Sequence, residues 1–175
     1  MFKKIAIVLG ALIVGVLVFA TTKPDTFHVE RSATIAAPPE RIQPLIADFR
    51  RWTQWSPWEK LDPNMQRTYS GTASGKGAIY EWSGDSSIGA GRMEILTATP
   101  TEVDIKLDFI EPMQSSNKAK FVLTPGANST TIVWSMDGPM PYVSKVMTVF
   151  VSMDSLLAKD FEQGLADLKA AAEKG

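Results

Sequence analysis

Few side chains in this 175-residue chain could support nucleophilic or metal chemistry. The chain has no cysteine and a single histidine, His28. Thiol catalysis, disulfides, Cys-ligated zinc and iron–sulfur clusters are therefore excluded, as is any metal site with two histidines. His28 alternates with Phe27 and Val29 in a predicted strand, so it is expected to face solvent rather than activate a serine. We expect neither a metal site nor a cofactor.

Proton transfer has three candidates, Tyr80, Glu81 and Asp154. On a predicted C-terminal helix, Asp154 lies about 40° from the line of apolar residues, so it is expected to face the interior. A buried lone carboxylate needs hydrogen-bond donors or must stay neutral. It would be either a polar anchor or acid–base group in a cavity, or a structural acceptor for a tryptophan N–H or a loop backbone. The spacing of Glu59, Glu81 and Glu94 pairs none of these carboxylates.

Three of the five tryptophans, Trp52, Trp55 and Trp58, fall within seven residues. Each indole buries a large area and carries one N–H donor. The cluster is either an aromatic lid over a cavity for an apolar ligand, or a cap that closes the core where the preceding helix ends. Pro57 prevents this stretch from forming one regular helix.

Aromatic and methionine side chains recur in phase on successive predicted strands, where all of them could face one interior. Methionine is soft and adaptable, which suits a surface that accepts varied ligands. The alternative is ordinary core packing, since a cavity differs from a core only by missing volume. The predicted ligand-binding residues are Trp52, Trp55, Trp58, Tyr80, Trp82, Met93, Phe109, Phe121, Trp134, Met136, Met147, Phe150 and Asp154.

Turn residues divide the chain into short segments that predict the elements holding these side chains. Alternating apolar residues over 27–35 predict a first strand, and Pro39 predicts the start of a helix. After six further strand-sized segments, the spacing predicts one long helix over 143–174, with Phe150 and Phe161 on its apolar line. The six segments are Gln66–Ser70, Ala78–Ser83, Gly91–Ala98, Glu102–Ile110, Lys118–Thr124 and Ser129–Met136.

The order of these elements predicts an α+β fold with a curved, seven-stranded antiparallel sheet. Apolar and charged residues alternate from Val103 to Phe109, which indicates one dry face and one wet face. Only the long C-terminal helix could cover the dry face. The chain length fits a single domain, which we assign to residues 27–175.

The N-terminal segment Ile5–Ala20 carries no charged side chain and follows Lys3 and Lys4. With its flanking residues it would span about 28 Å, a short membrane crossing. It is either an uncleaved single-pass anchor, which we favour, occupying residues 1–22 and followed by a linker over 23–26, or a secretory signal peptide. Because the lysines stay cytoplasmic, the C-terminal body is expected on the extracytoplasmic side, periplasmic or extracellular. It would be membrane-anchored in the first case and secreted in the second.

Three groups of short motifs along the body of the chain are informative together. They are Ala36-Ala37-Pro38-Pro39-Glu40 with Ile42, Asp48, Trp52 and Trp55-Ser56-Pro57-Trp58; Tyr80-Glu81-Trp82-Ser83-Gly84 with Gly89-Ala90-Gly91; and Met153-Asp154 with Asp160-Phe161-Glu162, Gly164-Leu165 and Leu168-Lys169. In their order and spacing, residues 27–173 resemble the START-like (SRPBCC) superfamily, in the polyketide cyclase/dehydrase-like branch of birch-pollen-allergen-like proteins. The resemblance implies a helix-grip fold with a hydrophobic cavity between sheet and long helix. Members bind lipids, sterols or polyketides, and a minority catalyse.

The sequence therefore predicts a protein that binds a hydrophobic small molecule or lipid at the outer face of a membrane, without catalysis. One alternative is an enzyme of the polyketide cyclase/dehydrase type, and another is a non-catalytic envelope interaction module. A net charge of −1, with a mildly acidic body, argues against a nucleic-acid partner. The sequence makes no prediction of the oligomeric state.

Overall fold

A computed structural model describes residues 2–174 of the chain. Two 3₁₀ helices, Phe49–Gln54 and Pro57–Lys60, occupy the tryptophan-rich stretch. The helices and strands, in chain order, are α1 (Phe2–Ala20), β1 (Thr26–Ile35), α2 (Pro39–Ala47), β2 (Gln66–Gly71), β3 (Ala78–Ser83), β4 (Ala90–Ala98), β5 (Glu102–Glu111), β6 (Ser115–Pro125), β7 (Thr130–Pro139), α3 (Tyr142–Met147) and α4 (Met153–Glu173).

The seven strands form one antiparallel sheet in the order β1-β7-β6-β5-β4-β3-β2, which confirms the predicted strand count and fold class. Thr26 at the start of β1 lies opposite Pro139 at the end of β7. Because all neighbours are antiparallel, the start of β1 and the ends of β3, β5 and β7 share one end of the sheet. We call this the proximal end, since α1 leads directly into it.

The dry face of the sheet and one face of α4 enclose the core. In β5 the predicted alternation places Val103, Ile105 and Leu107 in the interior. From α4, Phe161 is fully buried and its ring stacks on that of Trp134, with centroids 4.2 Å apart and planes 10° apart. Stacked aromatic pairs contribute about 0.5–1.5 kcal/mol beyond the area they bury, so this pair fixes α4 on the sheet.

The prediction of one continuous helix over 143–174 is wrong. Helix α3 ends at Met147, and α4 begins only at Met153, where the Ser152 hydroxyl accepts a hydrogen bond from the Ser155 N–H at 3.1 Å. A serine at the N-cap starts a helix by satisfying one of its free N–H groups. The break turns Phe150 away from the line of α4, and its side chain is 74% exposed. The expected positions of Met147 and Phe150 in the interior are therefore wrong.

Gly164 lies where α4 comes closest to the sheet. A Cβ at this position would be 2.8 Å from the Trp134 ring and 3.2 Å from Pro57 Cδ. Glycine in mid-helix costs about 1 kcal/mol relative to alanine, and the close approach explains why glycine is nevertheless present.

We expect Gly164→Ala to lower the free energy of unfolding by about 1–2 kcal/mol, because overpacking against the stacked Trp134 ring outweighs the gain in helix propensity. Chemical denaturation of the full chain in detergent micelles measures the change. The control is the exposed position Ala170 of the same helix, where alanine is the better residue and Ala170→Gly should cost about 1 kcal/mol. A stabilised Gly164→Ala variant would contradict the tight approach.

Helix α1 is long and apolar enough to be a membrane anchor or a signal sequence, and none of its most apolar window is buried against the rest of the protein. Its last turn nevertheless contacts α3. The Tyr142 hydroxyl donates a hydrogen bond to the Leu17 carbonyl at 2.8 Å, and Lys145 pairs with Asp25 at 2.6 Å. These contacts place α3 beside the C-terminal end of α1.

Candidate ligand-binding site

A cavity of about 270 Å³ lies between the dry face of the sheet and the start of α4. This is slightly below the range of about 300–1,000 Å³ that is usual for ligand pockets, and well above the about 150 Å³ that accepts benzene. The cavity is large enough for a compact molecule of one or two rings. The predicted residues that line it are Trp52, Trp58, Tyr80, Trp82, Met93, Phe109, Trp134 and Met136.

The mouth of the cavity lies toward the proximal end of the sheet. Phe109 near the end of β5, Ile88 in the β3–β4 turn and Leu157 near the start of α4 all line the cavity and are partly exposed. Trp58 and Ser87 complete this rim. Residues deeper in the sheet, such as Ala119, are buried. The mouth is thus mostly apolar, so the entry of a ligand removes water from few polar groups of the protein.

One polar cluster is buried in the wall of the cavity. The Tyr80 hydroxyl donates to Glu59 Oε1 at 2.6 Å, and Arg67 Nε donates to Glu59 Oε2 at 2.7 Å. The other guanidinium nitrogens of Arg67 donate to the backbone carbonyls of Met65 and Glu59. Pro57 starts the 3₁₀ helix that carries Glu59 inward, while β2 and β3 supply its two partners.

The cluster is electrostatically self-contained. The Glu59 side chain is only 5% exposed, and the guanidinium of Arg67 lies against it at 2.7 Å as a partner of opposite charge. Burial, and then the hydrogen bond to Glu59, raises the pKa of the Tyr80 phenol well above its ordinary value. The hydrogen bond to Glu59 likewise raises the pKa of Arg67. Tyr80 therefore stays a neutral donor, and the cavity wall carries no unpaired charge from this cluster.

Trp134, which also lines the cavity, carries a buried donor that is not used. Its ring lines the cavity, and its indole N–H is buried without a hydrogen-bond partner among residues 2–174. A buried polar group left unpaired costs about 1–3 kcal/mol. An acceptor group that reached this N–H would recover that free energy.

A sequence model of the family described as polyketide cyclase/dehydrase and lipid transport matches residues 26–173. The chain belongs to this family. The match covers the whole sheet and all of α4, and it confirms the resemblance to the polyketide cyclase/dehydrase-like branch of the START-like superfamily. None of the curated proteins matches the chain.

Solved structures confirm the helix-grip fold of this polyketide cyclase/dehydrase family member. A protein from Chromobacterium violaceum (CV1439) is 16% identical over 86% of this chain and 99% of its own, with a TM-score of 0.58. The di-domain aromatase/cyclase StfQ of the steffimycin biosynthetic pathway is 11% identical with a TM-score of 0.66. The match covers 85% of this chain and 51% of StfQ. Ara h 8.0201 is 14% identical, with 86% and 99% covered and a TM-score of 0.57.

In this family member two of the clustered tryptophans cap the end of α2, and two line the cavity. Trp52 and Trp55 donate their indole N–H groups to the carbonyls of Ile46 and Leu45, each at 2.9 Å, and so satisfy free carbonyls at the end of α2. Trp55 is fully buried in the core and does not line the cavity, and neither does Phe121. Trp52 and Trp58 do line it.

Asp154 is not buried among apolar residues, contrary to our prediction. Its side chain is 53% exposed and accepts two hydrogen bonds from Arg31, at 2.7 and 2.9 Å. Arg31 also pairs with Glu162, about two turns further along α4. The hydrogen bonds from Arg31 lower the pKa of Asp154 below its ordinary value. Asp154 therefore faces the sheet as its helical angle predicts, but there it pairs with Arg31 on the edge strand β1, outside the cavity.

Glu81 also lies away from the cavity. It alternates with Tyr80 and Trp82 along β3, so it is exposed on the wet face opposite Arg92 of β4. The carboxylate in the cavity wall is Glu59, which sequence spacing left unpaired. Its partners are 8 and 21 residues away on two different strands, and only the folded sheet brings them together.

Proposed function

We propose that the protein binds an uncharged hydrophobic small molecule or lipid moiety in the cavity between the sheet and α4. The single observation that supports this most is the chemistry of the cavity wall. Nearly all of it is aromatic or aliphatic, and its one ion pair is internally compensated. An anionic headgroup would find no free counter-ion there, because the guanidinium of Arg67 is committed to Glu59 and to two backbone carbonyls.

The ligand is expected to carry at least one hydrogen-bond acceptor. Trp134 offers an unused N–H, and the Tyr80 hydroxyl is already donated to Glu59. Ligand pockets of this kind are mostly apolar, with a few polar groups that fix orientation. A carbonyl or ether oxygen on a ring-containing or isoprenoid molecule has the required chemistry.

We further propose that residues 1–22 are a single-pass membrane anchor, with residues 23–26 as linker and residues 27–175 as the binding domain. The exposed apolar surface of α1 supports the anchor. The two lysines before the apolar run favour a cytoplasmic N-terminus, which would put the domain on the extracytoplasmic side.

An enzyme of the polyketide cyclase type is the second candidate. The short Tyr80–Glu59 hydrogen bond in the cavity wall favours it, because such a pair could orient a carbonyl or enol. The raised pKa of Tyr80 weighs against proton release by the phenol. If a compound recovered from the protein is turned over, and Tyr80→Phe abolishes the turnover while the compound still binds, the enzyme is the correct alternative.

Native mass spectrometry of the full chain released from lipid nanodiscs tests binding. We expect an apolar adduct on the wild-type protein that extraction identifies as uncharged. The variant Ala119→Phe places a ring in the cavity and should reduce adduct occupancy about tenfold or more, since losing two buried CH₂ contacts already costs about 1.6 kcal/mol. The control is Leu123→Met, a volume-conserving change in the core outside the cavity. Equal occupancy in wild type and Ala119→Phe would refute a cavity ligand.

A further inference from the structure

An apolar surface remains uncovered at the proximal end of the protein. It consists of Tyr142, Val143, Met147, Phe150 and Val151, which are all exposed, and Ile110 and Met113 of the β5–β6 hairpin are exposed at the same end of the sheet. The chain from 140 to 153 contains no acidic residue, and its one basic residue is Lys145. Soluble monomers rarely expose contiguous apolar patches of this kind unless the patch binds something.

The position of α3 relative to α1 identifies what covers this surface. Leu17, whose carbonyl accepts the Tyr142 hydroxyl, lies three residues before the end of α1, about 4.5 Å along the helix axis. If α1 spans a bilayer, α3 is therefore level with its last turn. Interfacial helices bury their apolar faces about 5–10 Å into the boundary between headgroups and acyl chains, a depth comparable with this distance from the end of α1.

The short connection between α1 and β1 holds this geometry. Only residues 21–25 separate the two elements, and they reach at most about 18 Å when extended. Lys145 and Asp25 tie α3 to this connection at 2.6 Å. The proximal end of the sheet is therefore kept at the membrane surface.

The mouth of the cavity opens at the same end. Phe109, on its rim, and the exposed Ile110 both lie near the end of β5, on opposite faces of the strand, and Leu157 lies in the first turns of α4, six residues after Val151. The apolar surface and the apolar mouth thus lie at the same end of the protein. A hydrophobic molecule leaving the cavity there would meet lipid rather than water.

We propose that the apolar surface inserts into the lipid interface and holds the mouth of the cavity against the bilayer, so that the ligand moves between lipid and cavity without crossing water. The proposal rests on the proposed function, because it takes α1 as a membrane anchor and the cavity as the binding site. The occupant of the surface is the lipid bilayer itself.

The absence of cysteine makes this proposal directly testable. Three single-cysteine variants of the full chain, Phe150→Cys in the apolar surface, Ser87→Cys at the mouth and Leu96→Cys at the distal end of the sheet, are labelled with the fluorophore NBD. Each is reconstituted in vesicles of phosphatidylcholine and phosphatidylglycerol, with or without brominated acyl chains. Leu96 is a suitable control because it is also an exposed apolar residue but lies near the end of β4 remote from α1.

We expect brominated lipid to quench the labels at positions 150 and 87 and to leave the label at position 96 unchanged. A label at position 150 that behaves like the one at 96 overturns the proposal. So does a label at 150 that is shielded from aqueous iodide but not quenched by brominated lipid, since a second protein chain would then cover the surface. Quenching at 150 without quenching at 87 overturns the contact between mouth and bilayer.

The outcome is separable from that of the proposed function. The vesicles contain no cavity ligand, and the quenching reports only the depth of the labels. The adduct measured on Ala119→Phe reports only the cavity. An empty cavity with quenched labels would refute the binding function alone, and a loaded cavity with unquenched labels would refute the membrane contact alone.

Discussion

Replacing Arg67 by methionine is expected to lower the free energy of unfolding by about 3–5 kcal/mol, the usual cost of removing one partner of a buried ion pair. The Glu59 side chain is 5% exposed and would keep only the Tyr80 hydroxyl as a side-chain partner. The attraction that offset its desolvation would be gone. Denaturant unfolding of the full chain in detergent micelles, followed by tryptophan fluorescence, measures the change.

Two further variants isolate the ion pair from the packing of the arginine stem. Glu59→Gln combined with Arg67→Met removes both charges and should recover much of the lost stability, since apolar or neutral replacement of a buried pair is often tolerated. Arg92→Met breaks the more exposed pair with Glu94 on the wet face and should cost less than about 1 kcal/mol. Equal losses in the free energy of unfolding for Arg67→Met and Arg92→Met would show that the buried ion pair contributes no more to stability than the exposed one.

The sheet could be predicted because its signal is local. Alternation along β5, from Val103 to Asp108, reports directly which residues face the interior, and turn residues mark the ends of most strands. Pro39 likewise marks the start of α2. Each of these features is contained within ten residues, and the local preference of the sequence agrees with the tertiary contacts there.

The site could be predicted only in part, because its decisive features are not local. The aromatic residues of β3 and β7 are in phase with the core, but the volume left between them depends on how closely Gly164 lets α4 approach. The pairing of Glu59 with Arg67 and Tyr80 exists only once two strands and a 3₁₀ helix meet. Sequence spacing carries no trace of either feature.

The predicted position of Asp154 among buried apolar residues is wrong for a related reason. Helical angle alone puts it on the apolar side of α4, but the edge of a sheet can present a charged partner at that angle. Arg31 occupies an inward-phase position of β1 and reaches the carboxylate from there. The interruption at Arg31 in the apolar pattern of β1 and the carboxylate on α4 are thus two halves of one ion pair.

The break between α3 and α4 gives different roles to Phe150 and Phe161, which one continuous helix would have placed on the same line. Phe161→Ala should lower the free energy of unfolding by about 3–5 kcal/mol, because its fully buried ring stacks on Trp134 and its loss leaves a void. Phe150→Ala should change it by no more than about 0.5 kcal/mol, because the ring has no place in the core. Both are measured by the same denaturant unfolding in micelles. Similar losses at the two positions would mean that the helix is continuous and that Phe150 covers the sheet, which would also remove the main residue of the apolar surface from the membrane.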